Sequence, residues 1–350
     1  MLRLPRFILF AICLSALGQA PTQPSSFEPH TPRDFFDAAA PAYNLDDPTL
    51  KPWHLKATYQ LYDQDSKPTS QGTYEHWWAS PQVYRNSWSR SDATHTDWHT
   101  ADGKHAYRGE GVIDYFEYAL QSALLSPLPS QAELDPSNFR LERENLTLGG
   151  TKYPCIKVIP LMQQHGQLQV IPLGLFPSYC FDTNVPAVRV EFSWGSLALE
   201  FNKIVKFQGR YLPREIAIFE GKRKILTASV DTIDGIAASD PALIPAPDVP
   251  KVTTDKVQIG AGVAVGLLVK KTVPVYPQDA KDAHVSGTVV LRAIIGRDGA
   301  IHDLHIVQTP WPSLAASALW SVSQWRYRPF FLNGQPVEIE TTINVIYELG

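Results

Sequence analysis

The feature that most constrains the fold of this chain is a long series of short strand-like segments between Trp53 and Asp234. Segments such as HLKATYQLYD, SQGTYEHWWAS and QVYRNSWSR are rich in aromatic and β-branched residues. Turn residues separate the segments at short intervals, as at Ala101-Asp102-Gly103. Strands spaced in this way predict an antiparallel meander, and VIDYFEYALQSALL predicts a helix that ends before Pro127.

The composition is that of an ordinary globular protein. The chain has 350 residues, which is long enough for two domains. Hydrophobic residues make up 44% of it and charged residues 19%. The formal net charge is -4 and no basic patch stands out, so we expect no nucleic-acid partner.

The first residues have the pattern of a secretory signal peptide. Arg3 and Arg6 precede a short apolar run from Phe7 to Leu17, and small residues follow it. The run is too short to span a bilayer comfortably, so we predict a signal peptide over residues 1–18. An uncleaved segment would instead anchor the protein in a membrane. Residues 19–50 form a predicted leader, with a short helix near DFFDAAAPAY.

Export would leave two cysteines, Cys155 and Cys180, because Cys13 lies inside the signal peptide. An oxidising compartment favours a disulfide between them. Each lies in a strand-like run, KYPCIKVIP or FPSYCFDT, and two antiparallel strands bring such residues within bridging distance. The alternative is a pair of buried free thiols.

A proline-rich segment, residues 235–256, predicts a linker between domains at residues 51–234 and 257–350. Such a segment can extend by about 3.1 Å per residue, to roughly 60 Å. The glycines that follow, at 260, 262 and 266, suggest a nucleotide loop. Their spacing is one residue too long, the linker precedes them, and Pro274 and Pro277 stop a following helix. We therefore predict no nucleotide cofactor.

The strand-rich part contains GTYEHWWASPQVYRNSWSR followed by HTADGKHAYRG. A strand that ends at Pro81, an aromatic and Arg-bearing strand, and a D-G-K turn before an aromatic residue occur here in that order. In this pattern the chain resembles the LolA-like half-barrel of periplasmic lipoprotein carriers. The resemblance implies an apolar cavity on the concave face, which would accept an acyl chain or a peptide.

The last ninety or so residues, Val257 to Leu349, carry a denser pattern. Its parts are Tyr276-Pro277, Ala280, Gly287, Val289, Asp298-Gly299, Pro312, Ala316, Trp325, Tyr327, Pro329, Gly334-Gln335-Pro336-Val337 and the terminal VEIETTINVIYEL. In this order and spacing the segment closely resembles the TonB C-terminal domain of energy-transducing proteins in the Gram-negative envelope. Full energy transducers also have an N-terminal membrane helix and a long Pro/Lys/Glu-rich spacer, which this chain replaces with a signal peptide, a globular domain and a short linker.

Local patterns in this segment agree with that resemblance. Pro277 suits the first turn of a helix, and Arg297-Asp298-Gly299 suits a turn between two strands. Ser313 is a candidate N-cap for a helix whose apolar positions are Leu314, Ala318, Leu319, Val322 and Trp325. The final strand alternates apolar and polar residues, so one face of it is predicted to be buried.

The resemblance implies that a partner peptide adds as a strand beside the end of the chain. No proline lies between Glu338 and Leu349, so this backbone is free to pair. The predicted partner-binding residues are Glu338, Ile339, Glu340, Thr341, Thr342, Ile343, Asn344, Val345, Ile346 and Tyr347.

Other candidate sites are weaker. His95 and His99 lie roughly 13 Å apart along a strand, too far to share a zinc ion, so we expect no metal site and interpret this face as solvated. His99 and His105 are expected to meet across the turn. A cluster of tryptophans favours core packing over a ligand cavity: Trp53, Trp77, Trp78, Trp88 and Trp98. No nucleophile elbow or phosphate loop occurs, so we predict no enzyme.

Together these patterns predict an α+β protein of the periplasm, in which a LolA-like antiparallel half-barrel with helical cover precedes a TonB-like domain of one antiparallel sheet and two helices. The expected function is to bind an outer-membrane TonB-dependent receptor or another envelope protein through the C-terminal domain. The alternative is a carrier of lipid or lipoprotein, in which the half-barrel binds the ligand and the TonB-like domain docks the carrier. No cofactor is expected in either case.

Overall fold

The computed structural model describes residues 27, 29–129, 131, 134–137, 139–160, 177–192, 197–252 and 256–349. The predicted signal peptide, residues 1–18, lies outside the described residues. In the described ranges, no helix is both long enough and apolar enough to cross a membrane. The protein is mixed α+β, with most of its ordered elements in sheets.

The first and larger sheet has 13 strands, and every neighbouring pair is antiparallel. Its strands are β1 (Trp53–Tyr62), β2 (Pro68–Ser80), β3 (Val83–Arg90), β4 (Ala93–His99), β5 (His105–Glu110), β6 (Phe139–Leu148), β7 (Thr151–Pro160), β8 (Ser178–Phe181), β9 (Val188–Phe192), β10 (Leu197–Phe207), β11 (Arg210–Glu220), β12 (Arg223–Gly235) and β13 (Lys251–Val252). They lie in the order β13-β5-β4-β3-β2-β1-β12-β11-β10-β9-β8-β7-β6. Apart from β13 at one edge, the sheet consists of two antiparallel meanders, β1 to β5 and β6 to β12, which are joined by the β1–β12 pair.

Two helices cover one face of this sheet: α1 (Pro32–Tyr43) and α2 (Tyr115–Leu125). Helix α1 lies where a short helix was predicted in the leader, and it buries Phe35, Phe36 and Tyr43 against the sheet. Helix α2 is fixed by its fully buried Glu117, which accepts hydrogen bonds from Arg90 Nη1 at 2.7 Å and from the Tyr59 hydroxyl at 2.5 Å. A buried carboxylate needs hydrogen-bond partners. Because these partners lie on β1 and β3, the bonds fix the position of α2 on the sheet.

The proline-rich segment does not extend away from the first sheet. A 3₁₀ turn at Pro241–Leu243 packs on β2 and β3, and the carbonyl oxygen of Ala242 accepts a hydrogen bond from Trp98 Nε1 at 3.1 Å. Val249 is buried, and β13 pairs with β5. The prolines stiffen the segment, but these contacts set its course, which the sequence alone did not predict.

The second sheet has five strands, in the order β14-β20-β16-β17 with β19 also on β20. Its strands are β14 (Lys256–Gln258), β16 (Gly287–Ile295), β17 (Ile301–Gln308), β19 (Phe330–Leu332) and β20 (Gln335–Tyr347), and a separate pair is formed by β15 (Leu268–Lys270) and β18 (Arg326–Tyr327). The accompanying helices are α3 (Ala261–Leu267), α4 (Gln278–Asp282) and α5 (Pro312–Ser323).

The small domain departs from the predicted pattern in three respects. Its sheet is mixed and not wholly antiparallel, because β14 runs parallel to β20. Helix α5 begins at Pro312 with Trp311 as its N-cap, so Ser313 is inside the helix and is not the cap. The glycine-rich stretch itself forms the seven-residue α3, directly after the short strand β14, so the domain has three helices and not two. The turn before β17 is as predicted, since Gly299 has φ +78.

Candidate functional site

The predicted partner-binding segment forms most of β20, which pairs antiparallel with β16 from Ile339 to Tyr347. Its side chains alternate as predicted. One face is buried in the core of the small domain and carries Ile339, Thr341, Ile343, Val345 and Tyr347. The other face carries Glu338, Glu340, Thr342, Asn344 and Ile346, of which the last three are exposed.

The outer edge of β20 is partly occupied by the chain itself. Strand β14 runs parallel to β20 and pairs with Glu338, Ile339 and Glu340. The Ile259 N–H donates to the carbonyl oxygen of Glu340 at 3.0 Å, so the backbone of Glu340 faces this edge.

Because alternate residues of a strand face the same edge, the backbone N–H groups of Thr342, Asn344 and Ile346 point outward as well. Strand β16 pairs with the inner edge of β20 here, but no strand that the structure describes pairs with the outer edge at these three positions. Helix α3 lies beside β20, with Ala264 buried and Val263 and Val265 exposed.

The polar face of β20 begins in a buried ionic cluster. His302 Nδ1 lies 3.3 Å from Glu338 Oε1, and His302 Nε2 lies 3.1 Å from Asp298 Oδ1. The His302 ring also lies against Tyr118 of α2, with ring centroids 3.6 Å apart. Glu338 lies on the polar face of the alternating strand, which the sequence pattern predicts to be exposed. This is corrected, since its side chain is only 21% exposed and lies where the second sheet meets α2.

Burial of His302 disfavours its charged form, but hydrogen bonds to Asp298 and Glu338 outweigh burial and raise its pKa to about 9. Burial likewise opposes ionisation of both carboxyls, yet the hydrogen bond to His302 holds the pKa of Asp298 at about 2 and lowers that of Glu338. The cluster is therefore an imidazolium between two carboxylates at neutral pH.

Ion pairs around this cluster join the two sheets. Arg297 Nη1 donates to both carboxylate oxygens of Asp97 on β4, at 2.6 and 2.7 Å. The Ile113 N–H donates to Asp298 Oδ2 at 3.2 Å, and Arg326 pairs with Asp114 at the start of α2. The residues that the sequence assigned to two domains thus share a polar interface.

This interface corrects the prediction that the His95 and Asp97 face of β4 is solvated. His95 is only 4% exposed, and its Nε2 lies 3.1 Å from the carbonyl oxygen of Gly111. Burial lowers the pKa of His95, although nearby Asp298 opposes the shift. The second sheet covers this face, an arrangement that no local pattern in β4 indicates.

The histidines do not assemble a metal site in the described part of the chain. His99 and His105 meet across the turn as predicted, with ring centroids 4.1 Å apart. Burial and the neighbouring His105 lower the pKa of His99 to about 3, so it is neutral, and it contacts the Tyr84 hydroxyl at 2.9 Å. Within the described ranges, no group of three or more His, Cys, Asp or Glu side chains is arranged to hold a metal ion.

A cavity of 1710 Å³ lies between the two sheets. One wall is formed by α1, α2, the loop at Pro127–Pro129 and the ends of β8, β9 and β10, and the opposite wall by β16 and β17. None of the five tryptophans singled out above belongs to the described lining. Trp53, Trp78 and Trp88 are instead buried in the first core, which fits the packing interpretation.

One carboxyl stands out in this cavity. Glu191 of β9 lies opposite Tyr179 of β8 and Leu199 of β10, and all three line the cavity. Burial raises the pKa of Glu191 to about 8. Within the described residues, no hydrogen bond or ion pair holds its carboxyl. No pattern in the sequence indicates this residue, because Glu191 occupies an ordinary position in the strand pattern VRVEF.

Cys155 and Cys180 form a disulfide between β7 and β8, where they lie directly opposite each other. Both residues are fully buried. The free-thiol alternative is therefore not the state of this structure.

Several solved structures are similar to the chain at low identity. A LolA superfamily protein from Nitrosomonas europaea is 6% identical, with 59% of this chain and 94% of that chain covered, at a TM-score of 0.37. A putative outer membrane lipoprotein-sorting protein domain from Vibrio parahaemolyticus is 7% identical, with 53% and 85% covered, at 0.31. The TonB C-terminal domain from Pseudomonas aeruginosa is 23% identical, with 23% and 84% covered, at 0.21.

No curated protein sequence matches the chain. A protein family does match its end, over the segment that contains α4, α5 and the strands β16 to β20. That segment includes the open edge of β20 and the Asp298–His302–Glu338 cluster. Residues 272–349 match the family described as Gram-negative bacterial TonB protein C-terminal.

Proposed function

We propose that this protein is a non-enzymatic binding and adaptor protein of the Gram-negative periplasm. Its C-terminal domain binds an extended segment of an outer-membrane TonB-dependent receptor, or of another envelope protein, by strand addition along β20. The family match over residues 272–349 supports an envelope-associated function.

The observation that carries this proposal is the outer edge of β20. Its first part already accepts a parallel strand, β14, through backbone hydrogen bonds such as Ile259 to Glu340. Beyond that point the outward N–H groups of Thr342, Asn344 and Ile346 offer the same bonds to a second segment. Strand addition draws its affinity from such bonds and its specificity from alternate side chains. A partner strand would have to displace or pass α3. This helix buries Ala264 but leaves Val263 and Val265 exposed, so it packs on β20 through a small contact.

Partner capture tests the location of this surface. A photo-crosslinking residue at Ile346, which is 64% exposed, should trap the partner in intact cells, and mass spectrometry would identify it. The same residue at Ile244, which is 67% exposed and lies in the proline-rich segment, is the matched control. Equal yields at both positions would contradict the proposal.

Proline substitutions test the backbone bonds. Thr342→Pro or Asn344→Pro removes one outward N–H and blocks an approaching strand, whereas Thr342→Ala and Asn344→Ala keep the N–H. We expect the proline variants to bind the captured partner at least about tenfold more weakly than the alanine variants, the equivalent of one or two backbone hydrogen bonds. An unchanged circular dichroism melt is the control, and equal affinities in folded variants would reject the edge as the binding surface.

A second function, the carriage of lipid or lipoprotein, is favoured by the cavity between the sheets. Its volume of 1710 Å³ exceeds the roughly 300–1,000 Å³ of ordinary small-molecule sites, and it admits an acyl chain. Protein purified without detergent should then release lipid into organic solvent, in an amount that approaches one ligand per chain. Extraction that yields only the lipid of a blank purification, together with no binding of an added acyl chain, would reject this function.

A further inference from the structure

The cavity between the two sheets has one chemically distinctive group, the carboxyl of Glu191. The strand register places it beside Tyr179 and Leu199, so its side chain projects from the sheet face that forms the cavity wall. The charge of Glu191 also contributes, after burial and Asp303, to the raised pKa of Tyr115 on α2. Glu191 therefore lies within electrostatic reach of α2, which covers the same wall of the cavity.

This buried carboxyl lowers the stability of the folded protein when no ligand is bound. Burial alone raises its pKa to about 8, and no cation or donor in the described chain offsets that burial. An unpaired carboxyl in an apolar wall lowers the stability of the folded state. Such a group in a cavity is a candidate for pairing with a ligand. The carboxyl oxygens of Glu191 are accessible from the cavity. They do not belong to the fully buried polar atoms that lack a hydrogen-bond partner.

The surroundings favour a positively charged ligand. Four carboxyl groups line the cavity, from Asp37, Asp47, Glu191 and Asp303. Asp47 is paired with Arg210 and Asp303 with His305, and the lining also carries Arg292 and the protonated His302. No ion pair joins Arg292 to Glu191 in the described part of the chain. The remainder of the first wall near Glu191 is largely apolar, with Leu197 and Leu199 on the neighbouring strand.

We propose that the cavity between the sheets binds an amphiphile with a cationic, ammonium-type head group, and that Glu191 pairs with this head group while the alkyl or acyl chain lies along the apolar wall. The proposal rests on the carrier function above and specifies its ligand class. Glu191 is the residue that selects the head group. A ligand with a carboxylate head would instead meet repulsion from Glu191.

A displacement assay with three probes of equal chain length tests this. The mature chain is loaded with the neutral dye Nile red at pH 8.5, where Glu191 is mostly ionised and an alkylamine is still protonated. Dodecylamine and dodecanoate then compete below their micellar concentrations, and dodecanol competes below its solubility limit. A charge-assisted hydrogen bond predicts that dodecylamine binds about tenfold more tightly than dodecanol.

The variant Glu191→Gln keeps the shape of the side chain and removes its charge, and it should reduce the preference for the amine to about twofold or less. Glu200→Gln is the matched control, because Glu200 lies on the neighbouring β10, is exposed and does not line the cavity. It should keep the tenfold preference.

The outcomes separate this inference from the carrier function. Binding of dodecanol with no preference for the amine, or with a preference that survives in Glu191→Gln, overturns the cationic-ligand proposal and leaves the carrier function intact. Failure of all three probes to displace or replace the dye overturns both. Tightest binding of dodecanoate would show that Arg292 or His302 selects the head group and would equally overturn the assignment to Glu191.

Discussion

Arg297, in the turn between β16 and β17, donates from one nitrogen to both carboxylate oxygens of Asp97 on β4, at 2.6 and 2.7 Å. The two residues are separated by 200 positions and belong to the two different sheets. Arg297 is 4% exposed and its guanidinium also lies 5.4 Å from the centre of the Tyr107 ring. The pair therefore couples the two sheets through a contact that is buried on the Arg297 side and partly exposed on the Asp97 side.

Loss of either partner should destabilise the chain, because the other charge then loses this counterion. We expect Asp97→Ala to lower the free energy of unfolding by about 2–4 kcal/mol, since it removes two acceptor oxygens from the more deeply buried Arg297. A double-mutant cycle with Arg297→Ala should give a coupling energy of about 1–3 kcal/mol in denaturant unfolding.

The exposed pair of Arg108 and Asp248 is the control for this cycle. Both side chains are more than half exposed, so Arg108→Ala should cost at most about 1 kcal/mol. A coupling energy for Arg297 and Asp97 no larger than that of the exposed pair would contradict this coupling of the two sheets.

Sequence patterns predicted the local features of this structure but not the contact between its two sheets. The strict alternation of β20 and the Asp298-Gly299 turn were predictable, because the burial of one strand face and a positive φ each impose a local residue choice. The contact between Asp97 and Arg297 was not, because each residue alone fits a solvated strand or turn. Ion pairs between distant segments leave no periodicity in the sequence.

The candidate sites likewise include one that the sequence predicted, the edge of β20, and features that it did not predict. The open edge of β20 follows from a proline-free alternating strand, so sequence reasoning found it. The occupation of Glu338 to Glu340 by β14 depends on how the chain returns after the proline-rich segment, and no turn signal specifies that path. Glu191 was missed because its unusual environment arises from the second sheet closing over its cavity.

The imidazolium of His302 predicts a loss of stability at alkaline pH. Its pKa rises from 6.5 to about 9 in the folded state, so its contribution is fully present below pH 6.5 and is lost as the pH rises through 9. Asp298, Glu338 and His95 face it, but the two carboxylates stay ionised and His95 stays neutral across this range. We expect the wild type to lose about 1–3 kcal/mol between pH 6.5 and 9.5.

Glu191 also titrates below pH 8, so the comparison is made in the Glu191→Gln background. There His302→Gln should be less stable at pH 6.5 and should lack most of this alkaline decline. Denaturant unfolding at a series of pH values measures both. A decline in the double variant as steep as in Glu191→Gln alone would assign the alkaline loss to other groups.

The buried disulfide should contribute strongly to the first domain. Its closure of a loop with a sequence separation of 25 residues predicts roughly 3 kcal/mol in the chain-entropy model. The double variant Cys155→Ala/Cys180→Ala should unfold at correspondingly lower denaturant, and reductant should shift the wild type but not the variant. Two freely alkylated thiols in the purified, unreduced protein would show that the bond does not form.

Gly299 should tolerate no side chain. A Cβ at this position would lie 1.9 Å from the carbonyl oxygen of Tyr327, in a backbone at φ +78. Gly334 has a similar φ of +80 but open space around it, so Gly334→Ala isolates the backbone cost. We expect about 1 kcal/mol for Gly334→Ala and about 3 kcal/mol or more for Gly299→Ala in denaturant unfolding. Equal costs would indicate that the Tyr327 contact relaxes freely.

Glu191 predicts the opposite pH dependence to an ordinary paired carboxylate. Burial raises its folded pKa from 4.5 to about 8, so between these values the folded state holds more protons than the unfolded state. The free energy of unfolding therefore falls as the pH rises from 4.5 to 8, and then levels. Of the other groups in the cavity, Asp303 titrates below this window, and His302 titrates near its upper end with an effect that Glu191→Gln leaves in place.

Glu191→Gln should consequently stabilise the ligand-free protein by about 1–3 kcal/mol at pH 8.5 and change it little at pH 4.5. Glu200→Gln, on the exposed neighbouring strand position, should be close to neutral at both pH values. Thermal melts at the two pH values provide the comparison, after delipidation by organic extraction and refolding. A destabilised Glu191→Gln at pH 8.5 would mean that the carboxylate already has a favourable partner within the protein, and the head-group assignment would lose its basis.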